Sequence, residues 1–265
     1  MENGEDMREE RKKRLEKFAR QLKEKDLVML FSRVSRLKKL DPIRIPSVPT
    51  LRVWFFAGEA KLCYISGCYR SSIICSSNAT EQSFIHMLIA TSEDWKKIYW
   101  QIENRIMTFG QILAEMDEQI KRRNLEPLTK FVEDAKWLKK VRNEIAAHPT
   151  YVDGSAYFER STHDQIVWEN KAMFRDIRKL LQFLSPQRRK ERIETTKLTG
   201  VNSEGKVVET RYFKDFLSDP PKIDPRTWSD WEGFQLSILE ELALEAYKRM
   251  AKIVNGLVLY IKSHP

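Results

Sequence analysis

The chain has 265 residues, 47 Lys+Arg against 38 Asp+Glu, and a formal net charge of +9. That length suits one large domain, or a core domain with an appendage. A hydrophobic share of 42% can build a core, and 32% charged residues of mixed sign exclude a uniformly charged disordered chain. With 9 Gly and 10 Pro, a loop-rich all-β fold is disfavoured and an all-α fold is expected. Residues 8–40 carry Leu15, Phe18, Leu22, Leu27, Leu30, Val34 and Leu37 at three- and four-residue steps, which predicts an amphipathic helix with a basic polar face. Asp41-Pro42 and the Pro46/Pro49 cluster end it.

Two helices follow, at 52–66 and 69–91, broken near Ser66-Gly67. Ile73, Ile74, Phe84, Met87 and Leu88 predict that the second is apolar around much of its girth, as a central bundle helix is. A third helix is expected over 94–121. A fourth, over 125–147, has Leu128, Phe131, Val132, Ala135, Leu138 and Val141 on one face and must stop at His148, because Pro149 pushes the preceding residue out of the α region. A fifth at about 164–184 is expected to close at Pro186. A basic patch (Arg188, Arg189, Lys190, Arg192) then leads to Glu194–Leu198 and Val207–Phe213, which flank a turn-rich segment and read as a β-hairpin. A last helix spans about 228–262.

The expected architecture is therefore an up-and-down helical bundle with a small β-hairpin insertion and a long C-terminal helix. Its divisions are a basic helical arm at 1–50, the bundle at 51–184, a hairpin and loop insertion at 185–226, and a C-terminal helix at 227–265 that packs on the bundle.

Cys63, Cys68 and Cys75 are odd in number and closely spaced, unlike a disulfide framework, and core filling is their expected role. The amino terminus lacks the apolar h-region of a secretory signal. The apolar stretch Ile253–Ile261 is about half a membrane span. A cytoplasmic protein without membrane contact is expected, and the basic excess favours a polyanionic partner.

Dinucleotide, P-loop, nucleophile-elbow and HExxH motifs do not occur in the sequence. Four histidines (His86, His148, His163, His264) are too few and too scattered for a His-rich metal site, and a Cys75/His86 zinc pair would lack partners. No metal or other cofactor is expected. One compact constellation remains, Arg142-Asn143-Glu144-Ile145-Ala146-Ala147-His148, at the end of an apolar-faced helix. On spacing alone, surface pairing of Arg142 and capping by His148 would also account for it.

Upstream, residues 59–85 read EAKLCYISGCYRSSIICSSNATEQSFI. With Ala60, Tyr64, Gly67, Tyr69, Arg70, Ser71, Ala79 and Glu81, this segment resembles the first helical hairpin of the HEPN superfamily. In that family it precedes an RN…H motif, which Arg142, Asn143 and His148 match here. The resemblance covers roughly residues 52–184, and the five-residue step from Arg to His lies within the family's range.

The resemblance implies a helical dimer that cleaves RNA without metal, in a defence, stress or toxin role. Such chemistry suits the residues. RNA carries its own nucleophile in the 2′-OH, a histidine near its ordinary pKa of ~6.5 can move the proton, and an arginine fork can stabilise the phosphorane. Two-fold symmetry would place two such pairs around one phosphate. Some members are instead inactive nucleotide-binding or scaffold modules. In toxins with an antitoxin partner a tyrosine stands two residues after the His, whereas Tyr151 here stands at three. RNA, a second copy of the chain and a regulatory or antitoxin protein are the expected partners. Arg142, His148 and Asn143 are the expected catalytic residues. Tyr69, Ser72 and Glu81 are expected around them, Glu81 by orienting Arg142 in a bidentate pair. Lys139, Lys140 and Tyr151, with Trp137, are expected near the cleft.

Overall fold

The computed structural model describes residues 24–40, 42–43, 51–123, 125–146, 173–201, 207–217 and 227–263. Among the described residues, the chain is all-α apart from one two-stranded sheet. It divides into two units, Met1–Leu40 and Asp41–Pro265, so the break comes ten residues before the expected boundary at 50. In the first unit, α1 (24–38) leaves Leu27, Leu30, Val34 and Leu37 exposed. Residues 8–23 of the expected helix lie outside the described residues.

The second unit is built around α3 (Tyr69–Thr91), against which α2 (Leu51–Ser66) and the long α9 (Trp228–Ser263) pack most extensively. The break between α2 and α3 falls where the sequence places it, because Gly67 takes φ 83°, a left-handed conformation that costs a glycine nothing. The buried girth of α3 differs from expectation. Beside Ile73, Phe84, Met87 and Leu88 it buries Ser72, Ser76, Ser77, Thr80 and Ser83. Thr80 and Ser83 satisfy their hydroxyls on the carbonyls of Ser76 and Ala79, one turn back, at 2.9 and 2.8 Å. Small side chains on this face let the neighbouring helices approach closely.

The single helix expected over 94–121 is two, α4 (Trp95–Glu103) and α5 (Phe109–Arg122). Arg105 adopts φ 55° between them, and Thr108 opens α5 with a capping box to Gln111. The next helix, α6 (Thr129–Val141), is led by a 3₁₀ turn at Glu126–Leu128 and passes into one π turn, Arg142–Ala146. Its expected end at His148 lies outside the described residues. Helix α7 is described over 173–181.

Pro186 does not only close α7; it opens a further helix that periodicity did not reveal. Helix α8 (Pro186–Thr195) has Pro at its first position, where no N–H is needed, and Ser185 caps it by accepting from the Arg188 N–H at 3.4 Å. The basic patch is thus helical. The hairpin follows as β1 (Lys197–Val201) and β2 (Val207–Tyr212), antiparallel with a register shift at Thr199/Gly200.

An aromatic cluster fastens this insertion to the bundle. Phe174, Phe213, Phe216, Phe234 and Trp231 meet with centroid separations of 5.2–6.2 Å. Within it, the Trp231 indole N–H donates to the Thr199 carbonyl at 2.9 Å, so α9 holds β1 directly.

Of the cysteines, Cys63 and Cys75 are half-buried, but Cys68 is exposed at the α2–α3 turn, so core filling does not describe it. All three are free thiols. Burial pushes the Cys75 thiol up to about 11, with Cys63 and Glu59 adding to the effect. Among the described residues, no helix is long and apolar enough to cross a membrane.

Candidate functional site

Arg142 stands where α6 gives way to the π turn. A π turn interrupts the regular helical ladder and is frequent at functional sites. Two of the three nitrogens of the Arg142 guanidinium are held. Nη1 donates to Glu81 Oε2 at 3.1 Å and more weakly to Asn78 Oδ1 at 3.5 Å, both on α3. Nε donates to Asn143 Oδ1 at 3.2 Å. The guanidinium also lies 5.5 Å from the ring centroid of Phe109, the first residue of α5. Nη2 has no partner among the described residues and is not buried.

The Arg142 and Glu81 side chains are 20% and 24% exposed, so solvent screens the pair and its contribution to stability is small, ~0–1 kcal/mol. Its consequence is orientation. Three acceptors and an aromatic face fix the plane of the guanidinium while one edge stays open.

The turn itself is braced further along α3. Arg70, on α3, donates through Nη1 to the Ile145 carbonyl and pairs through Nη2 with Asp176 Oδ2 at 2.8 Å. Asp176, on α7, is 2% exposed and also accepts from Gln235 of α9 at 2.5 Å. Ile145 is buried at 1%. These contacts tie α3, α7 and α9 to the turn that carries Arg142.

Asn143, Lys139 and Lys140 line one cavity of about 420 Å³ with Gly110, Lys136 and Glu144. Lys139 lies so close to Gly110 that a Cβ there would stand 2.5 Å from its ammonium nitrogen. Asn143 joins the two features, since it lines this cavity and accepts from Arg142. Trp137 stands elsewhere, stacked 4.4 Å from the Arg249 guanidinium.

Glu81 and Asn143 are therefore brought to Arg142, through one nitrogen each and not by a two-pronged pair with Glu81. Tyr69 and Ser72 are not. The Tyr69 hydroxyl donates to Glu240 Oε2 on α9 at 3.0 Å, and Ser72, 0% exposed, donates to the Ala60 carbonyl of α2 at 2.9 Å. Both serve packing between helices. His148 and Tyr151 lie outside the described residues. Asn78 and Phe109 were missed from sequence; Asn78 carried a signal, standing one helical turn before Glu81 on the same face of α3. Among the described residues, no group of three or more His, Cys, Asp or Glu side chains is placed to hold a metal ion. Comparison with protein-family models, with curated proteins and with solved structures gives no match.

Proposed function

We propose that this chain is a HEPN-like, metal-independent endoribonuclease that acts as a homodimer. The observation that carries the reading is the state of Arg142: plane fixed by Glu81, Asn78 and Asn143, with Nη2 unspent at the end of the helix that leads to His148. Such a group can donate to a non-bridging phosphate oxygen without reorganising as negative charge grows there. His148 would take the proton from the 2′-OH, and His148 of a second copy would protonate the leaving 5′-oxygen. Lys139 and Lys140 would draw the RNA backbone, an attraction that weakens as salt releases less entropy from bound counterions. A cytoplasmic defence, stress or toxin role, with an antitoxin or regulatory partner, belongs to the same reading.

The test is incubation of the purified chain with RNA, with and without EDTA, beside Arg142→Ala and His148→Ala. Cleavage should survive chelation and leave a 2′,3′-cyclic phosphate and a 5′-hydroxyl. DNA, and RNA with 2′-O-methyl at the cut, should be inert. Full activity in His148→Ala, or equal cleavage of DNA, sinks the mechanism.

A second reading is a non-catalytic RNA- or nucleotide-binding dimer that serves as a scaffold. The engagement of Nη1 and Nε by protein acceptors favours it, since a structural arginine would be held in the same way. RNA binding without any cleavage product would select it.

A further inference from the structure

A larger cavity, about 840 Å³, shares Lys140 and Glu144 with the smaller one and is otherwise lined mainly by residues of α7, α8, α9 and the segment between α7 and α8. Its volume lies within the ~300–1,000 Å³ range of small-ligand sites. The floor is apolar, with Leu184 and Leu242 buried at 6% and 1%, and Phe183 supplies a flat wall.

The charges around it do not balance. Three carboxylates line the cavity and each is engaged: Glu144 by Lys179 at 3.0 Å, Glu241 by Arg188 at 2.8 Å and by Arg192 at 3.0 Å, Glu245 by Arg249 at 2.7 Å. Two lysines are left over. Lys140 hangs 5.7 Å from the Phe183 ring centroid with no carboxylate among the described residues, and Lys248 has none either. Ser185, the cap of α8, also lines the cavity and brings the positive end of that helix to it. An apolar floor, a flat wall and two unmatched ammonium groups match one chemistry. A phosphate monoester carries about −1.5 to −2 charges at neutral pH, which two lysines neutralise, while its organic body covers the ring and the leucines.

We infer that this cavity binds an organic phosphate monoester, head to Lys140 and Lys248 and body against Phe183. The inference does not rest on RNA cleavage, and its readout is binding alone. The monoester has two sources, a free small molecule or the terminal phosphate of a nucleic-acid strand.

The experiment is calorimetric titration of the full chain with phenyl phosphate, with inorganic phosphate, and with an oligoribonucleotide bearing or lacking a 5′-phosphate. Phenyl phosphate should saturate one site per chain and bind at least about fivefold more tightly than inorganic phosphate, because ring burial adds roughly 1 kcal/mol. The double variant Lys140→Gln/Lys248→Gln should bind phenyl phosphate at least about tenfold more weakly, as loss of charge-assisted contacts requires. Both lysines are exposed, so melting should be unchanged. Phe183→Ala should lose the preference for phenyl phosphate over inorganic phosphate. An oligonucleotide that displaces phenyl phosphate only when 5′-phosphorylated assigns the site to strand ends, and no displacement by either assigns it to free small molecules. Absence of saturable phenyl phosphate binding, or undiminished binding by the double variant, overturns the inference.

Discussion

Arg70 and Arg142 both tie the π turn to α3, Arg70 through the Ile145 carbonyl and Arg142, the turn's first residue, through Glu81, and each sets a guanidinium on a carboxylate. Their surroundings differ. The partner of Arg70 is Asp176, whose side chain is 3% exposed, and the same arginine also holds the Ile145 carbonyl. The partner of Arg142 is Glu81, 24% exposed, and Nη2 of that guanidinium has no hydrogen-bond partner among the described residues. Burial of Asp176 makes the first pair costly to break, because its carboxylate loses a charged partner inside the protein, while Arg70, 26% exposed, keeps access to water. Partial access to water at both partners makes the second pair less costly to break. The two arginines are thus separated by the burial of their carboxylate partners, 3% against 24% exposed, and not by their own exposure or residue type.

The largest expected effect tests the buried pair. Arg70→Ala removes the guanidinium that pairs with the buried Asp176 carboxylate, and it should cost about 3–5 kcal/mol, lowering Tm by about 6–20 °C in a thermal melt. A loss under about 2 °C would mean that Asp176 finds water and that the two pairs are alike.

Next comes Arg142→Ala, which should leave Tm within about 3 °C of the parent while RNA cleavage falls about 100-fold, close to 2.7 kcal/mol in the barrier. If instead melting collapses as it does for Arg70→Ala, Arg142 is a brace and the distinction disappears.

Glu81→Gln sharpens the contrast further. The amide oxygen can still accept from Nη1, so the guanidinium keeps its place but loses the neighbouring negative charge. Cleavage should change by no more than about tenfold and stability by less than about 1 kcal/mol. A loss as large as that of Arg142→Ala would make Glu81 part of the chemistry.

The smallest effect is ionic. Double-mutant cycles on Arg142/Glu81 should give a coupling of at most about 1 kcal/mol that fades in 0.5 M salt, whereas the Arg70/Asp176 coupling should persist. Equal salt sensitivity would place both pairs in the same solvent environment.

Much of the local structure follows from the sequence by itself. Gly67 breaks α2 from α3 because a left-handed residue is needed there, and the second hairpin strand and the long last helix lie close to their expected bounds. The first strand begins three residues late because Glu194 and Thr195 belong to α8. These features depend on neighbours in the chain, which periodicity and turn chemistry report. The same rules misjudged 94–121, where the apolar spacing runs on across Arg105 and hides the break that the Thr108 capping box makes. They also read Pro186 as an end alone, since proline closes one helix and opens the next with equal ease.

For the candidate site, sequence nominated residues and tertiary structure decided which of them meet. Arg142 and Glu81 are 61 positions apart, and Arg70 and Ile145 are 75 apart. A helical face can be read from spacing, but the identity of the face it meets depends on how three helices pack at once. That packing brought Glu81, Asn78 and Phe109 to Arg142 and turned Tyr69 and Ser72 toward α9 and α2. It also decided which lysines lack a carboxylate, because a charge is paired or unmatched only in three dimensions.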